Sequence, residues 1–439
     1  MTEKRNKRTI AYWFLIIATF FMYIMLTGSK NLYVAEKTTM ETWFSPTDLS
    51  ATMMYYFYAY AAMQVILVFI MNKINIKWYL SGTVFASAIL TALVSFTNVI
   101  TEQWIIYVIN GALQAGIWGC SIKILGQYLP KKLLPKANAL MTSGPAVAGI
   151  VSYGVAALFG DNWRFPFVFL GVILVFAVIL FFIAITIVHR YPREIEMHHI
   201  VHADGSEEDV TDEDKNDFIH LKSKKRKIIF YVISIFLGLV VTAMFFSLNN
   251  VADYFLKDFG GFDSTTAKLI TIIVPVVIIV GPILCVNACE KHTNFLKVGG
   301  VFFGIALLCS IVLLALAVLK VEYVFLYFVF YLIFLISANG GRSILLSIIS
   351  LRMRDKINTG VYTTIVNASA SISAGVAPHI FTAIVKGSAD KFLNWTNAFS
   401  VSFGLGLFVV IVIVALLILV KKLNKKDEKT DKIVSDQTL

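Results

Sequence analysis

The sequence predicts an all-α membrane protein whose twelve transmembrane helices form two pseudo-symmetric six-helix bundles, and three observations carry that prediction. The first is composition. Of 439 residues, 58% are hydrophobic and 15% charged, with a mean hydropathy of +0.77, whereas a soluble domain carries about 25% charge. The second is segment length: the apolar runs suit helices of about 20 residues crossing a core roughly 30 Å thick, not the roughly 10-residue alternating strands of a membrane barrel. The third is a charged stretch from His189 to Lys227 that divides the runs six and six.

The spans fall at 10–35, 49–71, 78–98, 103–128, 138–160 and 165–188, then at 228–256, 267–289, 295–319, 323–351, 359–386 and 396–420. This gives an N-terminal bundle over 1–188, a charged cytoplasmic linker over 189–227, a C-terminal bundle over 228–420 and a tail over 421–439. Short connections make consecutive helices antiparallel neighbours. The first run, Ile10 to Val34, is too long for the apolar region of a cleavable signal peptide.

The formal net charge of +11 reads as a topology signal rather than a nucleic-acid footprint. Basic residues gather at Lys4 to Arg8, Lys131 to Lys136, Lys222 to Lys227, Arg352 to Lys356 and Lys421 to Lys426. All fall on one side of an alternating path, which places both termini in the cytoplasm of a cell membrane. Cys120, Cys285, Cys289 and Cys309 lie in or at the ends of apolar runs and read as packing residues. A low Arg to Lys ratio points to an AT-rich bacterial genome.

Residue echoes between the halves support duplication. Lys136-Ala137-Asn138 corresponds to Lys356-Ile357-Asn358, each opening the fifth helix of its half, and Lys30-Asn31 corresponds to Asn249-Asn250 late in the first. The same register carries Lys123 to Ser343, beside Arg342.

A charge inside a bilayer costs about 2.5–3.5 kcal/mol on insertion scales, so a persistent one faces a cavity or a partner. Arg342, after Asn339-Gly340-Gly341, stands roughly 15 Å above Arg352 by helical rise. Lys123 stands about 12 Å above Lys131, and Lys30 follows Gly28-Ser29 in the outer half of the first helix. Glu36, Asp253 and Glu290 lie near span ends and read as interfacial. A cavity with fixed positive charge and no carboxylate favours an anion, because Arg forks a phosphate or carboxylate while Lys supplies a point charge. The substrate-binding candidates are therefore Lys30, Asn31, Lys123, Arg342, Asn249, Asn250, Asn339 and Tyr23. Gly144-Pro145 and Gly281-Pro282 break helices, and His379 reads as a packed imidazole. No phosphate-binding Gly loop, nucleophile elbow or HExxH occurs, so no enzyme activity, cofactor or metal is expected.

Three stretches carry a family resemblance: Trp13 through Phe20-Phe21-Met22-Tyr23 to Lys30-Asn31, Gly111 to Lys123, and Asp161-Asn162-Trp163-Arg164. They resemble the major facilitator superfamily and, within it, the organophosphate:phosphate antiporters that carry glycerol 3-phosphate or hexose phosphates. The resemblance implies two six-helix bundles around a central site that opens alternately to each side, with Lys30 matching the family's Lys. The family's phosphate-binding Arg pair falls at Ser29 and near Met244 or Phe245, so both guanidinium groups are missing. The superfamily's Gly-rich loop between the second and third helices is here Asn72-Lys73-Ile74-Asn75-Ile76-Lys77.

The expectation is a monomeric secondary transporter in the lipid bilayer that moves a small organic anion, such as a phosphate ester, by exchange. Two alternatives stand beside it: a carrier of a neutral or zwitterionic solute recognised by the Asn residues, and a non-transporting sensor on a transporter fold. No nucleic-acid partner is expected.

Overall fold

The computed structural model describes residues 2–70, 73–130, 133–190, 224–292, 294–349 and 359–437. Most of the linker lies outside these ranges, as do Lys131, Lys132, Lys222, Arg352, Arg354 and Lys356. Every described element is helical.

The first half comprises α1 (Thr2–Met40), α2 (Pro46–Ile70), α3 (Ile76–Leu93), α4 (Ile100–Gln114), α5 (Ile117–Tyr128), α6 (Leu134–Leu158) and α7 (Arg164–His189). The second comprises α8 (Lys224–Asn249), α9 (Ala252–Gly260), α10 (Ser264–Thr271), α11 (Ile273–Ile278), α12 (Val280–Lys291), α13 (Phe295–Val318), α14 (Val324–Ser343), α15 (Thr359–Val385) and α16 (Lys391–Gln437). Read as membrane passes, α4 with α5, α8 with α9, and α10 with α11 and α12 are single rods interrupted by short breaks. Ten described stretches are long and apolar enough to span a bilayer. The second and fifth passes, α2 and α6, complete the twelve. Both pack across the molecular midline, α2 on α15 and α6 on α10 and α11.

Packing bears out the duplication. Within the first half α1 packs on α6 and α7, α2 on α4, and α3 on α4 and α7. The equivalent passes of the second half repeat each pairing: α8 on α15 and α16, α12 on α14, and α13 on α14 and α16. Each half has its own apolar core. The two midline contacts also exchange under the same two-fold relation.

Local chemistry explains the loops and breaks. Arg164 donates to Ser95 O at 2.5 Å and to Asn98 Oδ1 at 2.9 Å and stacks over Trp163, so the Asn162-Trp163-Arg164 motif ties the start of α7 to the loop before α4. Asp263 caps α10 by accepting from the amides of Thr265 and Thr266, and the Thr266 hydroxyl's bond to Oδ1 together with these amide bonds holds its carboxyl below the usual carboxylate range. The seventh pass breaks at Asn249-Asn250-Val251. There Tyr331 Oη donates to the carbonyl of Leu248, satisfying a group that lipid could not. Tyr331→Phe is expected to cost about 0.5–1.5 kcal/mol by removing one of that carbonyl's two hydrogen bonds, the other coming from the Val251 amide at 3.1 Å, read as a lower unfolding temperature in detergent.

Candidate functional site

The first helix carries Tyr23, Lys30 and Asn31, and α14 carries Asn339 and Arg342. Lys30 Nζ stands 5.4 Å from the centroid of the Phe57 ring on α2. The Arg342 guanidinium stands 5.0 Å from the Phe245 centroid and 5.5 Å from that of Phe246 on α8. Phe57 and Phe246 meet edge to face at 6.3 Å across the two halves. A cation from each half thus lies on an aromatic platform, and the platforms touch. Among the described residues neither cation has a salt bridge to a carboxylate.

Arg342 is held in place from two directions. Asn339 Oδ1 accepts from its Nε at 3.3 Å and its Nη2 at 3.2 Å, while Asn339 Nδ2 donates to Ile278 O at 3.0 Å, where the eighth pass breaks between α11 and α12. The Asn339 amide therefore turns a carbonyl at a broken helix into an anchor for the guanidinium. Directly beyond, Ile344–Ile348 form a π-helical turn, a feature that often marks functional sites in helices.

The other expected residues are placed as follows. Tyr23 lies 5.3 Å from Trp118, and its ring occupies the space a Cβ on Gly144 would need, at 2.7 Å; Gly144 seats Tyr23, and α6 runs through Pro145 without the break expected there. Asn31 is half-buried beside Lys30. Asn249 Nδ2 donates to Asn250 Oδ1 at 2.9 Å. Lys123 is half-buried on α5, where its charge acts on the Cys120 thiol. The contacts that join Lys30 to Arg342 run through Phe57 and Phe246. Ser29 is buried and bonds back to Leu26 O at 2.7 Å, so it contributes no group to the site. His379 Nδ1 pairs with Ser50 Oγ at 2.9 Å, joining α15 to α2.

The acidic residues depart from the sequence reading. Glu36 and Asp253 sit near span ends as expected, yet they are 0% and 1% exposed, enclosed by protein rather than facing water. The reason is local: α1 continues to Met40, beyond the hydropathy boundary, so Glu36 and Lys37 remain on the helix and are packed against the second half. Glu36 Oε2 accepts from Lys268 Nζ at 2.8 Å. Lys37 and Lys268 escape the sequence reading because each lies at the margin of an apolar run.

A family model described as Major Facilitator Superfamily matches residues 12–378. The chain belongs to the major facilitator superfamily. A comparison with the curated proteins finds no match. Among solved structures this superfamily member resembles a bacterial homologue of the human lysosomal transporter Spinster, in an inward-facing and occupied conformation, with 16% identity, a TM-score of 0.67 and coverage of 93% of this chain and 96% of that one. It also resembles the nucleoside transporter NupG, at 15% identity and a TM-score of 0.61 over 92% of this chain and 98% of that one. A D-xylose-proton symporter aligns at 12% identity and a TM-score of 0.64 over 91% and 97%. At these identities the likeness is one of fold. As a superfamily member the chain is a multi-pass transporter of small solutes rather than an enzyme.

Proposed function

We propose that the protein moves a small organic anion across a bacterial cell membrane by alternating access, as a monomer with both termini in the cytoplasm. The observation that carries this reading is the pair of cations, Lys30 and Arg342, brought together from opposite halves over Phe57 and Phe246 without a carboxylate partner among the described residues. Two like charges in a low-dielectric interior repel strongly, and an anion between them removes that cost. The Arg fork fits a phosphate or carboxylate in two parallel bonds, and Lys30 adds a point charge. A phosphate ester therefore remains the first substrate to test.

The resembled antiporters carry an Arg near Met244 or Phe245, and Arg342 stacks on Phe245. The charge missing from α8 is thus supplied from α14 at a neighbouring place, which supports an anionic solute while leaving the pairing geometry different. The neutral-solute reading is weakened by the amides it relied on: Asn249 and Asn250 bond to each other, and both ends of Asn339 are committed. Anion exchange was inferred from the want of a buried carboxylate. With Glu36 and Asp253 buried, exchange must be tested rather than assumed.

The test is uptake of labelled phosphate esters, carboxylates, sugars and nucleosides into proteoliposomes, loaded with phosphate or with neutral buffer. Expected is uptake of an anion, with Lys30→Ala and Arg342→Ala each reducing it tenfold or more. Uptake of a neutral solute that survives both substitutions would sink the reading. Dependence on internal phosphate would establish exchange, and binding without any uptake would favour a sensor.

A further inference from the structure

The last two passes lean on different neighbours: α15 packs mainly on α2 and α8, and α16 on α13. Where the chain turns from one to the other, a cleft of about 550 Å³ opens between them, lined by Ala383, Ile384 and Gly387 on one side and Leu393, Asn397 and Val401 on the other. It faces the lipid. Leu393 is 51% and Val401 39% exposed, and the apolar window of α16 is the least buried of the ten described spanning stretches. The turn beside the cleft is firmly held. The Asn394 amide donates to Val385 O at 3.0 Å and Ser388 O at 2.9 Å and accepts from Ser388 Oγ at 2.8 Å, while Asp390 Oδ1 accepts from the amides of Phe392 and Leu393 at 2.9 and 3.3 Å.

One polar group of the cleft is left over. The Asn397 side chain is exposed and has no hydrogen-bond partner among the described residues, whereas Ser400 beside it turns its hydroxyl back to Thr396 O at 2.7 Å. Depth in the bilayer decides what meets that amide. About 20 residues of helix cross the hydrocarbon core, and counted back from Lys421 at the charged end of the pass they finish near Val401. Asn397 stands about 6 Å beyond that point, at the level of the glycerol esters. No residue lining the cleft is charged, and the neighbouring cations are engaged elsewhere, Lys386 with Glu41 at 3.6 Å and Lys391 with Asp258 O at 3.2 Å. The geometry points to a binding site for the ester region of a phospholipid, in which the Asn397 amide donates to an acyl-ester carbonyl and the attached chain lies along Ile384, Leu393 and Val401. The headgroup stays outside the cleft and is not selected. The volume corresponds to a cube about 8 Å on a side, less than the 10–12 Å diameter of a helix with its side chains, so an acyl chain fits where a helix of a second copy does not.

This site is independent of the transported solute, and its test needs none. Full-length protein in detergent is titrated with dioleoyl phosphatidylcholine, and the affinity for the first bound lipid is read by native mass spectrometry. The dialkyl ether analogue, which lacks the ester carbonyls, and dioleoyl phosphatidylglycerol are titrated alongside. The ester lipid is expected to bind the parent three- to tenfold more tightly than Asn397→Leu, about the worth of one hydrogen bond, while the ether lipid binds both alike. Phosphatidylglycerol is expected within twofold of phosphatidylcholine. Ser400→Phe fills the cleft and keeps the amide, and is expected to weaken ester and ether lipids equally, by threefold or more. Asn397 and Ser400 are both exposed and bond to no other helix, so both variants are expected to fold. Equal affinity of the ester lipid for the parent and Asn397→Leu would overturn the site, as would an ether lipid that separates the two as strongly or a tenfold preference for phosphatidylglycerol. A lipid-free dimer of the parent that Asn397→Leu dissolves would assign the face to a second copy instead, and would equally overturn it.

Discussion

Replacing Arg342 by alanine is expected to lower the uptake efficiency of the transported anion by roughly 10- to 150-fold, the equivalent of about 1.5–3 kcal/mol for bonds to a charged group. The size of the effect comes from how thoroughly the guanidinium is prepared. Gly340 and Gly341 let α14 lie against α13, since a Cβ on either would meet Phe302 or Phe303 at 2.5 Å. Asn339 then fixes the plane of the guanidinium, and Phe245 and Phe246 support its face. Little side-chain entropy remains to be lost when the anion binds. Arg342→Lys keeps the charge but loses the fork and its two bonds to Asn339, so an intermediate loss of about tenfold is expected. The measurement is initial-rate uptake against solute concentration in proteoliposomes, normalised to folded protein. Full activity in folded Arg342→Ala would remove Arg342 from the site.

The second large effect concerns close helix crossings. A Cβ on Gly281 would lie 2.1 Å from Ile336 O, where α12 crosses α14, and one on Gly111 would lie 2.2 Å from Tyr56 O, where α4 crosses α2. These are the equivalent crossings of the two halves, each relying on a glycine. Neither clash can be relieved by a rotamer, because a Cβ has none and the opposing atom is backbone. Gly281→Ala and Gly111→Ala are therefore each expected to destabilise by about 3 kcal/mol, near the upper end of ordinary overpacking. Gly304→Ala is the control: a Cβ there meets nothing within 4 Å, and replacing glycine within a helix is neutral or stabilising by up to about 1 kcal/mol. Thermal unfolding in detergent checks all three. Equal stability of Gly281→Ala and Gly304→Ala would contradict the packing described for the α12–α14 crossing.

The sequence by itself determined that this chain lives in a membrane, that it crosses in passes of helix, and that it is built from two related halves. Those properties are written locally: a run long enough and apolar enough to span lipid must be helical, because its backbone groups have no other partners there. Local signals also picked out Lys30 and Arg342 as charges needing an explanation, and Gly281-Pro282 as the mark of a break, whereas α6 runs unbroken through Gly144-Pro145. Tertiary structure decided how the charges are used. That Lys30 and Arg342 meet over Phe57 and Phe246, while Lys123 stands on another helix, follows from how α1, α2, α8 and α14 pack, and no periodicity encodes that. The same holds for Glu36 and Asp253: hydropathy places them at span ends, and only the approach of the two halves takes them out of water. A charge's environment is set by what lies across from it, and across the midline of this molecule that is a residue more than two hundred positions away, as with Glu36 and Lys268.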